Sequence, residues 1–246
     1  MGTSQAYSGF SKNPNWRPLS SSLTNACHDG IITKSNLSRI TSRFVNLLGG
    51  SAIGGRGGSK IGGKAGIRTS KKFGGFLGEI KTKGFSQALI NSGFVYDGTQ
   101  TANDVINHLL EYCAGVAASL DDTAAKEAER KLLEEISSGA QTFEELEKNF
   151  QAKMEVYGTE ELLIKYYGYY IYEHLSIDFY EKLIKDKGKD KCGNLYSQLK
   201  DFIFERIKNI SKKMDLSKID WNSENGDRII KNIFEDTLKA FEDYEN

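Results

Sequence analysis

Proline is nearly absent from this 246-residue chain: Pro14 and Pro18 are the two present, and none follows them. A body without proline suits long helices, because an interior proline removes a backbone donor and clashes with the preceding turn. Cysteine is scarce as well. Cys27, Cys113 and Cys192 are odd in number and far apart. No disulfide framework follows from them, and a reducing, cytoplasmic setting is the expectation. No apolar run approaches 18 residues, which excludes a transmembrane helix. The start has no charged segment followed by an apolar one, so no Sec signal peptide is expected. Acidic residues are missing from the front of the chain. Residues 1–90 hold 13 basic side chains against Asp29 and Glu79, a net +11, whereas residues 91–246 hold 20 basic and 31 acidic, a net −11. The total is zero and says nothing about partners; the split argues for a basic binding arm on an acidic body.

Three stretches follow. Residues 1–35 read as a flexible tail of Ser, Asn, Gly and both prolines, with Tyr7, Phe10 and Trp16 but no helical or strand period. Residues 36–90 read as a basic, Gly-rich helical arm. Ser35 or Asn36 caps a short helix through Leu37, Ile40, Phe44 and Leu48, which Gly49 and Gly50 end. Then a small residue recurs at every fourth position, from Gly50 through Gly66, Ser70 and Gly74 to Gly78. On a helix that spacing makes a ridge allowing close approach, but each interior glycine costs about 1 kcal/mol, so such a helix needs a partner or the rest of the chain to hold it. A flexible basic linker is the alternative.

Residues 91–246 read as an acidic α-helical bundle domain. Thr101 to Asp104 and Thr142 to Glu145 are capping-box starts. Asp121 or Asp122 caps a helix through Ala125, Leu132 and Ile136, and Gly139 stops it. Gly158 to Lys187 is the longest helical stretch. Its tyrosines, among them Tyr166, Tyr167 and Tyr170, make it apolar nearly all round, as a central or interface helix would be. Amphipathic stripes from Leu195 to Met214 and from Ile229 to Phe241 complete a mainly α fold: a helical bundle with a long basic arm and a flexible tail.

No catalytic constellation stands out. Gly58 to Ala65 nearly matches a phosphate loop, but Ala65 stands where a hydroxyl should bind magnesium, and no apolar strand precedes it. His28, His108 and His174 are as dispersed as the cysteines, so neither a metal site nor a cofactor is expected. The arm offers Arg39, Arg43, Arg56, Lys60, Lys64 and Arg68 to a partner protein, to nucleic acid, or to the chain's own acidic body. At the front, Met1-Gly2 should mature to expose Gly2. Ala6 breaks the myristoylation pattern, but Gly2, Thr3 and Ser4 form a short peptide suited to an enzyme pocket. An α-amine, with a pKa near 7.7–8.0, keeps a nucleophilic neutral fraction at neutral pH.

With these features in view, the chain resembles the QatB family, the B component of the Qat antiphage defence system. The Met1-Gly2-Thr3-Ser4 start with its Ser/Gly/Pro/Trp tail carries the resemblance most specifically. The Arg39–Arg43 segment, the Gly-rich Gly54–Gly78 segment and the Ala-rich Asp121–Leu133 helix follow in the expected order. Few prolines in the tail, and lysine in several arginine places, depart from the family's commonest form. The resemblance implies a non-catalytic protein working with a QueC-like enzyme of the same operon, beside an ATPase and a TatD-like nuclease. QueC enzymes adenylate and amidate a carboxylated deazaguanine. A protein amine in place of ammonia would leave a nucleobase amide on Gly2.

Overall fold

The structure is a computed structural model that describes residues 13–29, 32–50, 63–208, 210 and 223–242. Among these residues there are nine helices and no strand. The first, α1 (Trp16–Asp29), lies inside the stretch expected to be a tail. Leu19, Leu23, Ala26 and Cys27 fall on one face at i, i+4, i+7 and i+8, and all four are buried. Pro18 sits in the first turn, where no intrahelical donor is needed. The tail reading is therefore corrected for residues 16–29; residues 1–12 lie outside the described residues.

Helix α2 (Lys34–Leu48) begins at Thr33, whose hydroxyl accepts from the Asn36 amide, and ends at Gly49 with a left-handed φ of 112°. Helix α3 (Lys64–Lys83) carries the glycine ridge from Gly66 to Gly78; residues 51–62 lie outside the described residues. A short α4 (Phe85–Asn91) leads to α5 (Ala102–Cys113), which opens on the expected Thr101–Asp104 capping box. Helix α5 stops at Cys113, and Val116 beyond it is an exposed loop residue. In α6 (Leu120–Ser137) the cap is Ser119 rather than Asp121 or Asp122, which leaves Asp121 for another task.

Helix α7 (Phe143–Lys187) starts on the Thr142–Glu145 capping box and kinks at Gly158. There φ is 70° and ψ 171°, a conformation essentially reserved for glycine. After the kink, Tyr166, Tyr167 and Tyr170 are fully buried, so this helix is the axis of the bundle. Helices α6 and α8 (Lys189–Ile207) pack along it, with α9 (Glu224–Glu242) against α2, α3 and α7.

The buried apolar side chains form one cluster running from Leu19 to Phe241. Among the described residues, α1 to α4 bury their apolar stripes in the same core as α5 to α9. The cause is elementary: each is amphipathic, and the body is the surface against which that face leaves water.

Candidate functional site

Several chemistry-bearing residues converge where α3 begins. The Asp121 carboxylate, from the first turn of α6, reaches across to that helix N-terminus. Its Oδ2 accepts from the Ala65 amide at 2.9 Å and its Oδ1 from the Gly63 amide at 3.3 Å. A helix N-terminus presents unsatisfied donors and positive potential, so a carboxylate there is well placed. From α7, the Tyr170 hydroxyl donates to Asp121 and accepts from the Gly63 amide at 3.0 Å. His174, one turn on and fully buried, puts Nε2 3.1 Å from both Asp121 Oδ1 and the Tyr170 hydroxyl. Asp121 as a carboxylate can only accept, so this histidine carries its proton on Nε2.

These contacts set the electrostatics. Burial pushes the Asp121 carboxyl up, but hydrogen bonds from His174, Tyr170 and the Ala65 amide outweigh it and hold the group below its usual range. Burial beside that carboxylate pushes the Tyr170 phenol well above its ordinary value. Ser70 and Gly66 extend the same face of α3 onto α7. Ser70 donates to the Ile67 carbonyl and lies 2.6 Å from the Tyr167 hydroxyl. A Cβ at Gly66 would lie 2.9 Å from Tyr170 Cζ, so the ridge of small residues seats tyrosine rings rather than another backbone.

This knot settles the phosphate-loop match. Gly63 and Ala65, whose amides would have to cradle a phosphate, already hold the Asp121 carboxylate. An anion there would meet like charge. The arrangement positions α3.

The basic residues of the arm divide. Arg43 donates to the Pro18 carbonyl at 2.9 Å and to Ser22 Oγ, clamping α1 to α2. Arg68 pairs with Asp122 at 2.7 Å and Lys71 with Asp227 at 2.5 Å, joining α3 to α6 and to α9. Lys72 donates to the Tyr112 carbonyl at 2.8 Å. Arg39 is exposed and bonds Asn36 of its own helix, and Lys64 is exposed. Arg56 and Lys60 lie outside the described residues, as do Gly2, Thr3 and Ser4. Arg68 and Lys71 thus rest on the chain's own acids, one of the options left open by the charge split.

A second buried polar group was not anticipated. Glu129 on α6 is fully buried, and neither of its oxygens meets a donor at full hydrogen-bond geometry among the described residues. Burial pushes its carboxyl well up, against the opposing influence of the nearby Cys113 thiol. Among the described residues no group of His, Cys, Asp and Glu is arranged to hold a metal ion. No helix among them is long and apolar enough to cross a membrane.

Sequence reasoning missed the knot because Asp121 was assigned to its own helix. The available signal was Tyr166, Tyr170 and His174 at i, i+4 and i+8, polar tips on a helix apolar nearly all round. Comparison with known families decides the assignment: the family described as Qat anti-phage system associated protein QatB matches residues 54–241. The chain belongs to the QatB family. It is therefore a component of the Qat anti-phage system, associated with other components of that system. The match takes in α3 through nearly all of α9, including the Asp121 knot. No curated protein and no solved structure matches the chain.

Proposed function

We propose that this QatB-family chain is a non-catalytic scaffold that binds the QueC-like enzyme of its system and offers Gly2, Thr3 and Ser4 to that enzyme's active site, where the Gly2 amine becomes amide-linked to a deazaguanine. The operon's ATPase and TatD-like nuclease are further partners in this reading, and its place is the cytoplasm.

Family membership carries the reading, together with one observation about the knot. Where the loop nearest to a nucleotide site meets α3, the Gly63 and Ala65 amides are committed to Asp121, which supports a scaffold over a nucleotide-dependent enzyme. Anchoring of α1 supports a firm base for what precedes it. Trp16 stacks on Phe179 at 4.4 Å, and Asn13 and Asn15 donate to the Leu47 and Asn46 carbonyls at the end of α2. Arg39 and Lys64, both exposed, join Arg56 and Lys60 as the basic residues proposed to meet the partner. Arg43 and Arg68 contribute by holding α1 and α3 in place.

The runner-up is a nucleic-acid adaptor working through the same basic residues. Salt separates the two: phosphate contacts weaken steeply with ionic strength, whereas a helix-mediated protein complex survives moderate salt. Co-purification with the QueC-like enzyme at 50 and 300 mM salt (about, as working conditions) should recover the complex at both. Deleting residues 2–6 should end phage protection while leaving the helical circular-dichroism spectrum and melting midpoint unchanged. Full protection by that truncation contradicts a working N-terminal peptide.

A further inference from the structure

Two of the three cysteines meet inside the protein. Cys27 lies in the last turn of α1 and Cys192 in the first turn of α8, 165 positions apart in sequence. Their Sγ atoms are 3.5 Å apart, and both residues are buried. Cys113 is buried elsewhere, beside Glu129. We propose that Cys27 and Cys192 are a reversible dithiol–disulfide pair that fastens α1 to α8.

Bond formation brings the sulfurs from 3.5 Å to about 2.0 Å. Both sit at helix ends, where a turn can yield, and Gly188, with φ of 90°, directly precedes α8. The oxidant is a small-molecule disulfide. One protein thiolate attacks it, breaking its S–S bond and releasing one thiol; the second protein thiolate then displaces the other half as a second thiol. The protein loses two protons and two electrons, and the reagent takes up both as its two thiols.

Reactivity is restrained by the surroundings. Burial, reinforced by Cys192, pushes the Cys27 thiol up to about 12, and Lys187 pulls the other way. The pair therefore stays reduced under mild conditions and closes under sustained oxidation, faster as pH rises or as the last turn of α1 opens. The bond would close a loop spanning most of the chain, the situation in which cross-linking constrains the unfolded state most.

The test uses the full-length chain with glutathione disulfide at alkaline pH, followed by acid quench, maleimide alkylation in denaturant and peptide mapping. The expected product is lighter than the reduced chain by about 2 Da before alkylation. It carries one maleimide, on Cys113, and its Cys27 and Cys192 peptides are joined. Its melting midpoint rises by about 5–15 °C, and reduction reverses both changes. Three maleimides after exhaustive oxidation, a bond that includes Cys113, glutathione left on Cys27 or Cys192 without closure, or no rise in the midpoint would each overturn the proposal. C113S keeps the pair and should close in the same way, with no maleimide attached.

Discussion

At position 129 a carboxylic acid lies wholly inside the core, and its environment dictates how stability responds to alkali. Below the ordinary value of 4.5 the acid is protonated folded or unfolded and contributes no slope. Above it, the unfolded chain releases the proton while burial keeps it on the folded one. Stability then falls as pH rises, by at most about 1.4 kcal/mol per pH unit, until the raised folded pKa is passed. Glu129→Gln removes that slope, so its stability relative to the parent should improve as pH rises above the ordinary value of 4.5, until the raised folded pKa is passed, in urea titrations. A constant difference would contradict a neutral Glu129. Gly66 is the other telling position. Gly66→Ala adds a methyl group 2.9 Å from a Tyr170 ring that hydrogen bonds hold in place. Helix propensity returns about 1 kcal/mol and overpacking costs about 1–3, so a net loss of about 1 kcal/mol is expected in the same titration.

Among the elements, α3 shows what holds a glycine-rich helix that would not form alone. Asp121 supplies its cap from α6, while Tyr170 and His174 fix Asp121 from α7. Asp121→Ala leaves the Ala65 amide without its acceptor and takes one acceptor away from each of the Gly63 amide, the Tyr170 hydroxyl and the buried His174, at a cost of about 3 kcal/mol. The sign of its pH dependence is opposite to that of Glu129. The Asp121 carboxyl is held below 3.8 in the folded chain, so its contribution is complete above that value and is lost as pH falls through the folded pKa. The gap between parent and Asp121→Ala should therefore shrink on acidification below about pH 4, in denaturant titrations at fixed salt. Legibility of the elements followed how local their causes are. Capping boxes at Thr101 and Thr142 and the stop at Gly49 depend on a few neighbouring residues, and they stood plainly in the sequence. The cap of α3 joins positions 63 and 121, which no local pattern can express. Helix α1 was missed for a different reason: its four buried apolar positions are diluted by serine, threonine and asparagine, and Pro18 masked a permissible first turn.

For the molecule as a whole, part of the opposite charge on its two stretches meets within the fold. Arg68–Asp122, Lys71–Asp227 and Lys34–Glu205 all join the basic stretch to the acidic one. Exposed pairs of this kind contribute little singly, and the shared apolar core contributes far more. Segregated charge was visible in the sequence, but whether it faces inward or outward is decided by packing. Family membership makes the chain a component of the Qat anti-phage system, and the proposed function assigns the chemistry to the partner. Most direct is the intact mass of the N-terminal peptide after co-expression with the QueC-like enzyme of the same system. The account predicts a covalent addition on Gly2 that disappears when the enzyme is left out; an unmodified Gly2 in a complex that does form would contradict it.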